Sequence, residues 1–250
     1  MKIYYFFPPT AILGLHQAIT DVDLVYLQQN TLMLNRRLTG GGAILLGLPD
    51  TYSQVGITIV ARTDASIPAN LRGKFEYFTP IIRDALKNLG LQPEIDNNFN
   101  IVIGSKKIAG TGIYAEESAF LFHTMILLGC DYRATARVLK IPPNSSLEII
   151  VQNMREKVTT VLHELGRPIA YKDVETALIG SLSRIVGEPV EEGHYFKREI
   201  TECETLLKAK YSSQDWILGS SDTGSNVGAC FVPVSPPNRK KRVKKIHEGS

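Results

Sequence analysis

The chain reads as an α+β protein on three observations. Strand-like segments alternate with helical ones over the first hundred residues. Three more strand-like segments follow between residues 99 and 129 in the manner of a meander. After Asp131 the sequence turns helical. With 250 residues and 44% hydrophobic content, the chain can bury a sizeable core.

In order, residues 4–7 and 10–14 read as extended. Residues 21–30 read as a short helix with Asp21 as its N-cap. Residues 31–35 read as a strand entering a glycine run. Residues 43–46 and 55–62 read as strands, the second rich in β-branched Val55, Ile57, Thr58, Ile59 and Val60. Over 68–89, Leu71, Phe75, Phe78, Ile82, Leu86 and Leu89 recur at helical spacing. Pro80 inside that run predicts a kink or a break, and Gly90 is a natural stop. Residues 99–103, 107–114 and 119–129 read as strands. Residues 146–154, 171–186 and 200–211 read as helices, and Val174, Ala177, Leu178, Leu182 and Ile185 form one apolar face of the second. From Gly219 the composition shifts to Gly, Ser, Asp and Asn, and residues 232–237 contain three prolines. The expected organisation is one folded domain over 1–219 and a flexible linker with a basic tail over 220–250.

Charge and cysteine usage narrow the function classes. The net charge is +3, yet the last twelve residues carry six Lys or Arg against one Glu, which leaves residues 1–238 at −2. The tail is open to three readings: a solvated end, a docking arm for an acidic partner, or a nucleic-acid contact. The last is disfavoured because the body is not basic. No run of about 18 apolar residues is present, so no membrane span is expected. The N-terminal apolar stretch is too short for a signal peptide, and cytoplasmic residence is expected. Cys130, Cys203 and Cys230 are widely spaced and odd in number, which suggests neither a disulfide framework nor a structural zinc site.

Two segments carry chemistry. Arg36-Arg37-Leu38-Thr39-Gly40-Gly41-Gly42-Ala43 sets fixed positive charge beside three glycines, whose backbone lets a ligand approach closely. It lacks the spacing of a dinucleotide fingerprint and the ending of a P-loop, and a glycine triplet is also compatible with an ordinary turn. Gly104-Ser105-Lys106-Lys107-Ile108-Ala109-Gly110 offers lysines on a strand ending in glycine. Strand alternation lets only one of the two lysines face a cleft. The bland reading is a solvated pair. The functional one is a lysine that neutralises charge on an acyl phosphate.

Residues 37–43 and 106–110 resemble the two signature segments of the lipoate–protein ligase A family. Other segments fall in line with that family. Residues 9–17 resemble its early strand, Tyr52-Ser53 its aromatic–hydroxyl pair, residues 123–128 its H-G-T-[IL]-L-L strand, and residues 210–216 its K-Y-x-S-x-x-W closing segment. The resemblance covers residues 8–219. It implies a mixed, largely antiparallel sheet flanked by helices, of the class II biotin/lipoyl ligase type. It also implies a two-step reaction: lipoate and ATP give lipoyl-adenylate and pyrophosphate, and the acyl group then passes to a lysine of an acceptor lipoyl domain. Such acceptors belong to a 2-oxoacid dehydrogenase acyltransferase subunit or to the glycine cleavage H protein.

By resemblance, Lys107 is the central catalytic lysine and Arg37 faces the phosphate. Thr39, Gly40, Gly41, Gly42, Ala43 and Gly110 line the lipoyl tunnel, and His123 lies on a strand near it. As a lone histidine among Phe120, Leu121, Phe122 and Leu127, His123 reads as a packed core residue rather than an acid–base group.

The departures from the family pattern also carry expectations. Residues 43–47 lack the usual histidine and aspartate. The family's N-D pair appears as Phe99-Asn100, so Asn100 stands where an aspartate would help to hold Mg²⁺. The family's first helix and C-terminal accessory domain have no counterpart, which points to a short form served by a separate accessory subunit. Two rival functions remain open. One is a cysteine-dependent octanoyl or lipoyl transferase, although residues 93–100 hold no cysteine. The other is a degenerate lipoyl-binding subunit without activity.

Overall fold

The β-branched run at 54–62 and the alternating run at 119–127 pair antiparallel along their full length in the computed structural model, which describes residues 1–48, 54–63, 67–139 and 146–219. In chain order the strands are β1 (Lys2–Tyr4), β2 (Thr10–Leu13), β3 (Met33–Arg36), β4 (Ile44–Leu46), β5 (Gln54–Arg62), β6 (Glu94–Ile95), β7 (Ile101–Ile103), β8 (Lys106–Ala115) and β9 (Ala119–Leu127). The helices are α1 (Leu24–Gln29), α2 (Leu71–Asn88), α3 (Tyr132–Val138), α4 (Leu147–Lys157), α5 (Val161–Leu165), α6 (Tyr171–Val186), α7 (Lys197–Leu206) and α8 (Gln214–Leu218).

Among the described residues the strands form two sheets. Six of them, in the order β1-β5-β9-β8-β7-β6, make an antiparallel sheet. The other three run β3-β2-β4, with β2 parallel to β3 and antiparallel to β4. The expected mixed, largely antiparallel architecture is therefore present, divided between two sheets. No described helix is long and apolar enough to cross a membrane.

Each sheet has its own core. On the larger sheet Val55, Ile57, Phe120, Phe122 and Ile126 pack with Phe78, Ile82 and Leu86 of α2 and with Val174, Leu178 and Leu182 of α6. On the smaller sheet Ala11, Leu13, Leu34 and Leu45 pack with Leu27 of α1, Val138 of α3 and Ile217 of α8.

The structure corrects several boundaries. The first helix is capped by Asp23, whose carboxylate accepts from Tyr26 N at 3.0 Å, and not by Asp21, which closes a short 3₁₀ turn. Val22 between them is fully buried and bridges Leu139 in extended conformation, so the helix cannot begin earlier. Helix α2 runs unbroken through Pro80. A helix-interior proline costs about 3 kcal/mol, but burial of Phe78, Ile81 and Ile82 contributes about 1.5–3 kcal/mol each. Strand β1 ends at Tyr4, before the Phe7–Pro8 cis peptide. Helix α7 starts three residues earlier than its apolar spacing predicts. There the Phe196 N–H donates to Glu199 Oε2 at 2.7 Å, and the last turn, Leu207–Tyr211, is a π-helix. The expected linker and tail over 220–250, with Cys230, and the Tyr52-Ser53 pair lie outside the described residues.

Candidate active site

Alternation along the strands sorts the residues of the larger sheet onto two faces. Phe120, Phe122, Thr124 and Ile126 of β9 are buried, whereas Leu121, His123 and Met125 between them are half-buried. In register with His123 stand Thr58 of β5 and Gly112 of β8, and in register with Met125 stand Gly56 and Gly110. The face away from α2 and α6 is therefore a floor made low by three glycines. His123 belongs to this floor and not to the apolar core, contrary to its sequence reading. A core place would have required the other strand parity. At one edge of the floor the Tyr4 ring lies over Gly56, and its hydroxyl is 3.1 Å from Thr58 Oγ1.

The glycine run leaves β3 and meets this floor. Thr39 is buried, and its Oγ1 lies 2.7 Å from His123 Nε2. A Cβ at Gly112 would stand 2.6 Å from His123 Nε2 and 3.2 Å from Thr39 Oγ1, so a glycine is needed for the loop to reach the sheet. Burial first, and then the Arg37 charge, lowers the His123 pKa from 6.5 to about 4, so its imidazole is neutral at physiological pH. It serves as a neutral hydrogen-bonding group.

The two arginines before the glycines take separate parts. Arg37 folds back on its own loop, donating to Gly40 O at 2.6 Å, Gly42 O at 2.9 Å and Ile12 O at 3.3 Å. Those bonds turn the loop carbonyls inward. The N–H groups of Gly40, Gly41 and Gly42 donate to no protein acceptor among the described residues, and all three glycines are exposed. Gly41 takes φ +92°, a conformation that favours glycine. Free amides beside a guanidinium form a receptor for anionic groups. Ala43, half-buried, closes the loop before β4. Arg36 points the other way and is 93% buried. It donates to six carbonyls: those of Gly14, Leu15 and Gln17, and those of Trp216, Ile217 and Leu218 in α8. It is a structural clamp.

Lys107 supplies the second cation. Its side chain bends along β8, with Cε and Nζ each 2.9 Å from where a Cβ on Gly110 would stand. Its backbone carbonyl accepts from Thr159 N at 2.9 Å, and Val158 bridges the same residue. Burial lowers the Lys107 pKa; the charge of Asp96 raises it, and that of Arg37 lowers it again. Lys106 takes no part in this arrangement.

Asn100, expected as a metal contact, spends its side-chain amide on Asp96 Oδ2 at 2.9 Å. Among the described residues no three His, Cys, Asp or Glu converge to hold a cation.

The structure thus brings together Arg37, Thr39, the glycines 40–42, Lys107, Gly110 and His123. Sequence reading misses Tyr4, Thr58 and Gly112. Gly112 had a signal, since it lies two residues from Gly110 on a strand and so shares its face. A separate cavity of about 730 Å³ lies between the Leu15–Ala18 turn and residues 209–219, with Arg36 and Trp216 in its wall. None of the loop glycines, Lys107 or His123 lines it.

Comparison with known proteins agrees with this fold. A family model described as the lipoyl protein ligase A/B catalytic domain matches residues 3–183. The chain is 27% identical over 227 residues to lipoate–protein ligase A subunit 1 of Thermoplasma acidophilum, covering 86% of this chain and 83% of that protein. It is 23% identical over 239 residues to the octanoyltransferase LipM of Symbiobacterium thermophilum, covering 86% and 85%. Among solved structures it resembles a bi-partite lipoate–protein ligase described with its E2 lipoyl domain from T. acidophilum, with a TM-score of 0.78, 26% identity, and 87% and 82% of the two chains covered. It also resembles a lipoate–protein ligase A bound with ATP, with a TM-score of 0.74, 26% identity, and 87% and 84% covered.

Proposed function

The chain belongs to the lipoyl protein ligase A/B catalytic domain family, and from that membership we propose that it is the catalytic subunit of an ATP-dependent lipoate–protein ligase. One observation carries the reading: three unengaged glycine amides stand beside Arg37, while the Lys107 ammonium lies across Gly110 on the same glycine-lowered floor.

In the first step a lipoate carboxylate oxygen attacks the α-phosphorus of ATP and pyrophosphate leaves. In the second an acceptor lysine amine attacks the acyl carbon of the mixed anhydride, AMP leaves, and an amide forms. Both steps gather negative charge on phosphate and carbonyl oxygens. A lysine ammonium and preorganised backbone N–H groups stabilise such charge, and they need no reorganisation as it develops. Arg37 shapes the loop by holding its carbonyls and adds positive potential to it. Gly56, Gly110 and Gly112 let the Tyr4 ring, the Lys107 side chain and the His123 imidazole lie close against the sheet, and neutral His123 with Thr39 closes one wall. The ATP-bound and bi-partite relatives support ATP as the activating substrate, a lipoyl domain as acceptor, and a second polypeptide as partner.

Similarity to LipM supports a rival reading, transfer through a cysteine thioester. The described cysteines speak against it. Burial raises the Cys130 thiol pKa, and its sulfur lies 3.8 Å from Thr135 Oγ1; Cys203 stands on α7, none of whose residues is buried. A thioester nucleophile needs a readily formed thiolate. Exchange of labelled pyrophosphate into ATP separates the two readings. The ligase shows exchange that requires lipoate. Absent exchange, with octanoyl transfer from a carrier-protein thioester, supports the rival.

A further inference from the structure

Helix α7 stands apart from both cores. All ten of its residues are exposed. Its side-chain hydrogen bonds stay local. Arg198 Nε donates to Glu202 Oε1 at 2.7 Å, and the Thr201 and Thr205 hydroxyls donate to the carbonyls of Lys197 and Thr201. A helix this short is marginal in water on its own, and most helical stability in proteins comes from packing an apolar face.

Such a face is present on α7 and unpartnered. Phe196 at the N-cap, Ile200, Cys203, and Leu207 just past the last turn follow one another at intervals of four, three and four residues. That is the a/d pattern of a two-helix seam. Phe196 is 76% exposed and Ile200 40%, and Leu206 beside the seam is 50% exposed. With Ile200 and Leu207 at heptad position a, and Phe196 and Cys203 at d, Lys197 and Glu204 fall at e, and Glu199 and Leu206 at g. Neither Lys197 nor Glu204 belongs to an ion pair among the described residues.

The flanking charges choose the partner and its direction. A second α7 laid antiparallel sets Ile200 against Cys203 of the second copy and Phe196 against its Leu207, and the two-fold axis repeats each layer. Antiparallel helices bring e positions together, so Lys197 meets Glu204 of the second copy on both sides of the axis. A parallel pair instead brings g to e, which sets Glu199 against Glu204, like charge against like. The seam is therefore self-complementary in one orientation, as an isologous contact requires. Lys197 also stands in the first helical turn, where the helix dipole disfavours a cation. An opposing carboxylate offsets that cost.

We infer that α7 is a self-association surface, through which two copies of this chain pair as antiparallel helices with Lys197 of each facing Glu204 of the other. The inference is independent of the adenylate chemistry, since α7 carries none of the residues gathered at the glycine floor.

Sedimentation velocity on the full chain tests it. The wild type should pass from monomer to dimer between about 1 μM and about 1 mM, the range open to a small interface. K197E and E204K each make both flanking pairs repulsive, and each should raise the dimer dissociation constant about tenfold or more. K197E suits the helix dipole, so a lost helix does not explain its effect. An equimolar mixture of the two variants restores opposite charges across the seam and should dimerise like the wild type. The double variant K197E/E204K should do so with itself. I200D puts a charge into the seam of an exposed helix; it should abolish the dimer and leave the melting temperature unchanged. A chain that stays monomeric over the whole range overturns the inference and leaves α7 to a different partner. A dimer that K197E, E204K and I200D leave intact overturns it too, because the contact then lies elsewhere. Weakening by both single variants without recovery in their mixture overturns the antiparallel pairing.

Discussion

The Thr39 hydroxyl and His123 Nε2 lie 2.7 Å apart, and this hydrogen bond joins the glycine loop of the smaller sheet to the floor of the larger one. Cutting it should loosen the loop more than the fold. T39V is expected to cost about 1 kcal/mol of stability, the net value of one hydrogen bond. It should weaken binding of a non-hydrolysable lipoyl-adenylate analogue about tenfold, because the loop is no longer preorganised. Calorimetric titration together with thermal melts checks both.

The same histidine gives a pH signature. Its folded-state pKa of about 4 lies below its ordinary 6.5, so the unfolded chain takes up the proton first as the pH falls. The stability His123 contributes is whole above pH 6.5 and is lost as the pH falls toward 4. H123N removes this titration. Its melting temperature should therefore fall less than that of the wild type across that window. Parallel curves would show that His123 is not held neutral.

Lys107 and Lys106 are neighbours with different fates. K107A should reduce acyl transfer by about 10²-fold or more, the scale of a lost preorganised charge. K106A should cost little. G110A adds a methyl 2.9 Å from Lys107 Cε and Nζ, the movable end of a flexible side chain. It should leave stability within about 1 kcal/mol while displacing the ammonium and lowering transfer about tenfold. Single-turnover kinetics on the three variants tests the assignment.

Arg36 and Trp216 hold each other reciprocally. Arg36 Nε donates to Trp216 O, and Trp216 Nε1 donates to Arg36 O, each at 3.1 Å. R36A leaves six carbonyls short of a donor and should destabilise by about 3 kcal/mol or more. W216F removes one hydrogen bond and should cost about 1 kcal/mol. Denaturant unfolding distinguishes the two values.

The sequence makes local chemistry legible and hides what register assembles. The glycine run, Lys107 and Gly110 are readable because each sits within a short segment whose residue types state a need. The division into two sheets is not readable, because β2 pairs with both β3 and β4 through contacts no local pattern encodes. His123 misleads for the same reason. Its apolar neighbours suggest a core, but strand parity turns it away from them and toward Thr39. The different fates of Arg36 and Arg37 likewise depend on α8, which returns from 180 residues downstream to accept the Arg36 donors.

The most direct test of the central claim is intact-mass measurement of an acceptor lipoyl domain incubated with this protein, lipoate and MgATP. The account predicts a gain of one lipoyl group on a single acceptor lysine, dependent on ATP and abolished by K107A. An acceptor that stays unmodified even with the second polypeptide added, or one acylated equally well without ATP or with K107A, would contradict it.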